Sequence, residues 1–271
     1  MLNFAFILLS GFLSEKPLSE NPYAYPLSPS MGFSLVQNLK TEVSDFNIVL
    51  GKRIPFVTLD SIGNSKLQFV IDAAVWSTLR QDSGNAYKLL FSDYLISFPV
   101  VLQYGNLTHE FKFTHVSAHL SDGIKIERLM YKFSYSRDYF SYLFAYKGQL
   151  KQQRFQGTRY QLVLQHKEYI EIGWIHKIFP KELDRRLLHF GNEFTVLDLD
   201  QRDKNFYTAW DLTPHPSLSP KISYSIQLGI MTNTDNLYTM RLALIYYNGF
   251  DFRGQQLGRE LQYVGFALYI R

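Results

Sequence analysis

Lys221-Ile-Ser-Tyr-Ser-Ile-Gln-Leu-Gly-Ile-Met231 decides how the rest of this chain is read. Ile222, Tyr224, Ile226, Leu228 and Ile230 fall on one side of an extended backbone. Lys221, Ser223, Ser225, Gln227 and Gly229 fall on the other. A period of two with one apolar face is a β-strand between an oily and a polar surface. The pattern recurs at 159–165, where Tyr160, Leu162 and Leu164 oppose Arg159, Gln161 and Gln165. It recurs at 238–247, where Met240, Leu242, Leu244 and Tyr246 oppose Thr239 and Arg241.

Working outward, strands are expected at 66–76, 92–105, 107–119, 125–136, 138–147, 205–212 and 258–270. Weaker patterns cover 31–38, 46–52, 169–177 and 193–200. Turn residues separate most of them, among them Asp82-Ser-Gly-Asn, Gly105-Asn106, Ser121-Asp-Gly and Asn248-Gly. The spacing predicts an all-β fold, a closed antiparallel transmembrane barrel of about 12 strands, since bacterial barrels take even numbers. One stretch departs from the alternation: 180–190 reads as a short amphipathic helix in a loop or plug.

Composition agrees. Of 271 residues, 16% are aromatic, with 19 Tyr and 22 Phe, roughly twice an ordinary soluble share. No apolar run approaches the roughly 18 residues of a membrane helix, and mean hydropathy is only −0.14. A barrel reconciles the two, because its lipid-facing and lumen-facing residues alternate. There is no Cys, which removes disulfides, thiolate metal sites and a Cys nucleophile. A net charge of +4 without a Lys/Arg block gives no nucleic-acid signature; the partners expected are the bilayer and lipopolysaccharide phosphates. A soluble lipocalin-like ligand-binding barrel, with the apolar face inside, shows the same alternation and is the competing architecture.

Residues 4–13 form an apolar stretch of signal-peptide size. The chain therefore divides into a signal peptide over 1–14, a polar Pro-rich segment over 15–30 read as a tail, and one barrel domain over 31–271. Export and the barrel together place the protein in the outer membrane of a Gram-negative bacterium. Lys112, Arg128, Lys132, Arg159 and Arg241 are expected to line a charged lumen, with Asp72 and Asp93 pairing those cations.

The segment Phe111-Lys-Phe-Thr-His-Val-Ser-Ala-His-Leu-Ser-Asp-Gly123 carries the candidate chemistry. Phe111, Phe113, His115, Ser117 and His119 share the lipid-facing side. Ser117 is a possible nucleophile and His115 its base, about 7 Å away between Cα atoms. A base needs a third group to hold its tautomer. With a tight turn at 121–123, Glu127 supplies it from the next strand. His119 and Asp122 make poor metal partners for His115, since the two His lie about 13 Å apart on a strand. No cofactor is expected from the residues themselves.

The His115-x-Ser117 pair with an acid on the neighbouring strand resembles outer-membrane phospholipase A and lipid A 3-O-deacylase. That resemblance implies lipid hydrolysis, and calcium as a cofactor if the phospholipase likeness holds. A broader resemblance is to a family of uncharacterised bacterial outer-membrane barrels with a His-x-Ser-Ser-His-Leu-Gly-Asp-like motif, matched by His115-Val-Ser-Ala-His-Leu-Ser-Asp122. Asn21–Leu35, Ser136-Arg137-Asp138, Tyr247–Gln255 and Tyr263–Arg271 match further parts of its pattern. Ala118 and Ser121 stand where the motif has Ser and Gly. The first expectation is an outer-membrane barrel with a structural or small-solute role. The second is an acyl-ester hydrolase with Ser117, His115 and Glu127 on the outer wall.

Overall fold

The computed structural model describes residues 16–60, 65–81, 86–120, 135–154, 161–179, 181, 185–198, 205–215, 221–234 and 238–270. Twelve strands run in order: β1 (Met31–Asn38), β2 (Ser44–Asp60), β3 (Ser65–Gln81), β4 (Tyr87–Tyr104), β5 (Leu107–Leu120) and β6 (Tyr135–Arg154). They continue as β7 (Gln161–Phe179), β8 (Arg186–Asp198), β9 (Asn205–Pro214), β10 (Ile222–Thr234), β11 (Tyr238–Phe250) and β12 (Glu260–Ile270). Each pairs antiparallel with its sequence neighbours, and β1 closes on β12 with Met31 opposite Ile270. The fold is the closed 12-stranded antiparallel barrel that the alternation implies.

The apolar side points out. Phe111 is 59% exposed, Leu242 51% and Phe266 66%, while Glu110, His189 and Asp211 are at most 1% exposed. This is the reverse of a lipocalin, whose oily side chains fill the centre. An exterior of this kind belongs against acyl chains, so the soluble alternative does not fit the wall.

Three expectations are corrected. The stretch 180–190 forms no helix where it is described: 186–190 opens β8, with Leu187 and His189 turned inward. Its mixed charges suggested a helical face, but β7 supplies hydrogen-bond partners from Arg186 onward and β9 joins at Phe190, and a strand alone can use them. The strands expected at 159–165 and 169–177 are one, β7, and 138–147 lies within β6, a strand of 20 residues. The part of the 125–136 strand before 135 lies outside the described residues, as does the signal peptide expected over 1–14.

The lumen is filled, and the segment read as a tail fills much of it. Pro17, Pro22, Pro26 and Pro29 lack an N–H and cannot join a ladder, so the wall satisfies this backbone with side chains. Leu18 N–H donates to Gln68 Oε1 (2.9 Å), Tyr23 N–H to Glu193 Oε1 (2.7 Å), and Gln227 Nε2–H to the Tyr23 carbonyl (2.7 Å). From the other end, a single 3-10 turn at Gly254–Gln256 folds inward. Gly254 N–H donates to Asp93 Oδ2 (2.9 Å) and Gln255 Nε2–H to the Ala118 carbonyl (3.0 Å). A Cβ on Gly254 would lie 2.2 Å from the Tyr135 ring and 2.7 Å from Ala118 Cβ, so this turn needs both a glycine and a small residue at 118.

Across the middle runs a buried ladder of charge. Arg53 makes paired bonds to Asp72 (2.7 and 2.8 Å) and to Glu110 (2.7 and 3.0 Å). Lys112 donates to Glu171 (2.7 Å), whose Oε2 also lies 2.9 Å from His189 Nε2; His189 Nδ1 lies 2.9 Å from Asp211. Tyr25 of the inserted segment stacks on His189 with ring centroids 3.9 Å apart. Lys112 and Arg241 face inward as expected, Arg241 lying over the Tyr23 ring at 4.0 Å. Asp72 pairs instead with Arg53, beyond the strand end expected at 52. Asp93 accepts the Gly254 N–H and pairs with neither Lys112 nor Arg241. Arg128, Lys132 and Arg159 lie outside the described residues.

Two outcomes follow from this interior. Arg53→Met strands two buried carboxylates and should cost about 3–5 kcal/mol, read as urea unfolding of the detergent-refolded barrel; an unchanged midpoint would show that the ladder is not a stabilising element. In planar bilayers the full chain should be silent. Steady ohmic steps would mean that the inserted segments leave a continuous water path.

Candidate functional site on the outer wall

β5 and β6 carry the site. Alternation puts Phe111, Phe113, His115 and Ser117 outward on β5, and Ser136, Asp138, Phe140 and Tyr142 outward on β6. The register fixes who meets whom: Ser117 faces Ser136, His115 faces Asp138, Phe113 faces Phe140, and Phe111 faces Tyr142. His115 Nδ1 lies 2.5 Å from Asp138 Oδ1, their side chains 42% and 25% exposed. Ser117 lies two residues along on the same face. Neither Ser117 nor Ser136 has a polar partner among the described residues.

Extending each row to the next strands gives the depth. The row Ile96–His115–Asp138–Lys177 is followed by Phe98–Phe113–Phe140–Trp174, then Val100–Phe111–Tyr142–Ile172. From His115 to Leu107, at the far rim, is eight residues of strand. That is about 20 Å along the barrel axis once tilt is allowed for, against an apolar band about 25 Å tall. On that measure the His–Asp pair lies toward one edge of the oily band, with the row Tyr94–Ser117–Ser136–Phe179 beyond it. It lies at the end that carries the connections 39–43, 121–134, 215–221 and 251–259.

The sequence placed His115 and Ser117 correctly on the outward face, but the acid beside His115 is Asp138. Glu127 lies outside the described residues. The tight turn assumed at 121–123 set a hairpin register in which Glu127 opposed His115. The observed pairing joins residues either side of 121–134, a connection too long for turn chemistry to fix register. The available signal was Ser136-Arg137-Asp138, noticed as a motif but not given a role. Ala118, the departure from the motif, faces the lumen under Gly254 and does not touch the outward group.

The arrangement can hold and use a proton. With Asp138 on Nδ1, His115 is oriented with Nε2 free for a hydroxyl. A Ser–His hydrogen bond does form elsewhere, between Ser223 Oγ and His215 Nε2 at 2.9 Å, and it is a different case. Ser223 is 2% exposed, faces the lumen and already accepts the Phe250 N–H, so its hydroxyl is a joint between β10 and β11. Among the described residues no group of three or more His, Asp or Glu side chains converges as a metal site.

A closed barrel with an oily exterior, a polar filled interior and every strand paired on both sides is a barrel of the outer-membrane type, in contact with a lipid bilayer. A family model described as "Protein of unknown function (DUF1207)" matches residues 7–270, and the chain belongs to that family. Among solved structures, outer membrane phospholipase A from Escherichia coli superposes with a TM-score of 0.54 at 12% identity over 97% of both chains. An active-site mutant of that enzyme gives 0.53 at 10% identity, again over 97% of both. The transport unit of the Escherichia coli autotransporter AIDA-I gives 0.45 at 10%, over 99% of this chain and 96% of that one. No curated protein matches the sequence. At these identities the likeness to the phospholipase is one of fold.

Proposed function

We propose that this protein is an outer-membrane enzyme that hydrolyses acyl esters of bilayer lipid at its lipid-facing wall. Ser117 is the nucleophile, His115 the base and Asp138 the orienting acid. The observation that carries the reading is the 2.5 Å His115–Asp138 pair at the edge of the oily band, with Ser117 beside it. Ionisable groups turned toward lipid are costly and serve no packing purpose. Here two of them meet, aligned as a base and its orienter, at the depth where acyl chains give way to ester groups.

The chemistry balances as acyl transfer. Ser117 Oγ attacks the ester carbonyl carbon while its proton passes to His115 Nε2. Collapse of the tetrahedral adduct breaks the bond to the lipid alcohol, which takes that proton. A water, deprotonated in turn by His115, then releases the fatty acid and restores Ser117. Asp138 keeps the ring in one tautomer and stabilises its cation throughout. No step is routed through a metal. Barrels of this class keep short turns toward the periplasm and longer loops outside, so the site belongs to the outer leaflet, where lipopolysaccharide is a candidate neighbour. The small-solute reading is weakened by the filled lumen.

Ser117→Ala should abolish turnover of a chromogenic acyl ester by the detergent-refolded protein. Asp138→Asn should lower kcat by about 100-fold or more, with the heat-modifiable gel shift of the folded barrel retained. Turnover at the wild-type rate by Ser117→Ala sinks the proposal. A larger loss in Glu127→Gln than in Asp138→Asn would return the orienting role to Glu127.

A further inference from the structure

The strand beside the acid carries a defect that serves no obvious packing need. On β7, Lys177 pairs with Asp138 but Ile175 pairs with Tyr139, leaving His176 as an extra residue. Ile175 and Ile178 both point into the lumen, and His176 and Lys177 are both exposed. On a regular strand Lys177 would share the inward face with Ile175. The bulge turns it out, which is the usual work of a bulge next to a functional site.

Turned out, Lys177 meets Asp138, but Asp138 is engaged by His115 on its other side, and Lys177 makes no ion pair with it or with any other described residue. Past the end of β7, Lys181 and Arg185 are likewise exposed and have no polar partner among the described residues. The Arg185 carbonyl accepts the Ile175 N–H at 2.7 Å, which brings this end of β8 alongside the bulge. Three cations without an ion pair among the described residues therefore border the His115–Asp138 row, on its β7 side and just above Trp174. Adjacent strands lie about 4.8 Å apart, so Lys177 stands roughly 10 Å from His115 across the wall.

From this cluster we infer that Lys177, Lys181 and Arg185 form a subsite for the phosphate of an acyl lipid in the bounding leaflet. The inference rests on the proposed ester chemistry for its purpose, since it makes the substrate a phosphorylated acyl-ester lipid. Lipid phosphates lie just beyond the hydrocarbon edge, at the level where these side chains end. A lipid whose phosphate is held there presents esters, only a few bonds away, toward Ser117. Cations at a membrane surface attract anionic headgroups with about a fivefold gain each. Lys and Arg stems can lie on the apolar wall while their charges reach the headgroups.

The binding test uses Ser117→Ala throughout, so no lipid is consumed and its outcome does not depend on hydrolysis. Trp174 is 56% exposed on the outer wall beside the cluster. With Trp210→Phe it is the one tryptophan facing lipid, since Trp76 points into the lumen. The chain is reconstituted in phosphatidylcholine vesicles doped with brominated phosphatidic acid or with brominated diacylglycerol, which has the same esters and no phosphate. Phosphatidic acid should quench Trp174 at least about fivefold more effectively. Lys177→Gln, Lys181→Gln and Arg185→Gln combined should bring the two lipids level. Equal quenching in the parent chain overturns the inference, and so does a preference that survives the triple replacement. The same enrichment at Trp210, in a Trp174→Phe chain, would reduce it to unspecific charge attraction and overturn it equally. Loss of ester turnover as the wild-type property, by contrast, would remove the proposed activity and leave this binding result standing.

Discussion

Hydrocarbon offers a backbone no water to bond to, and every unpaired N–H or C=O there costs several kcal/mol. The closure of β1 on β12 answers that constraint, and the rest of the molecule depends on it. Once the sheet is closed, side chains alone remain free to make chemistry on the outer wall. Alternation then sorts them without exception along β5: Phe111, Phe113, His115 and Ser117 outward, Lys112, Thr114, Val116 and Ala118 inward.

Closure also creates an interior that must be filled or flooded. Here it is filled twice, by residues 16–30 and by the turn around Gly254–Gln256, with a ladder of paired charges from Asp72 to Asp211 between the walls. Buried ion pairs of this kind are weak net stabilisers and severe liabilities when broken. They bind the inserted segment to one position, since Arg53 also donates to the Ser19 carbonyl. A wall so braced is a rigid mount, and the His115–Asp138 pair held on its strands keeps its geometry better than one on loops would.

The outer site gains its meaning from depth rather than from composition. His, Ser and Asp on a strand are unremarkable; in the proposed reading the same three meet ester groups because they stand toward one edge of the oily band. Below them lie Phe113 and Phe140. Beside them a bulge turns Lys177 outward. Position along the barrel axis, set by register, makes one chemical reading of these residues more economical than the others.

Read alone, the sequence specified an antiparallel barrel and the side of the wall on which each residue of β5 lies, because a period of two is a local property of an extended chain; it bounded the strand number only at about 10 to 14. It put His115 and Ser117 on the outward face for the same reason. It missed Asp138, the path of residues 16–30, the strand at 186–190 and the pairing of Arg53. Each of these depends on which distant segment lies alongside. Across the connection 121–134 register is set by contacts between whole strands, and a Pro-rich segment looks equally polar in water or in a polar lumen. Only the tertiary structure, where non-local hydrogen bonds compete for the same partners, decided those.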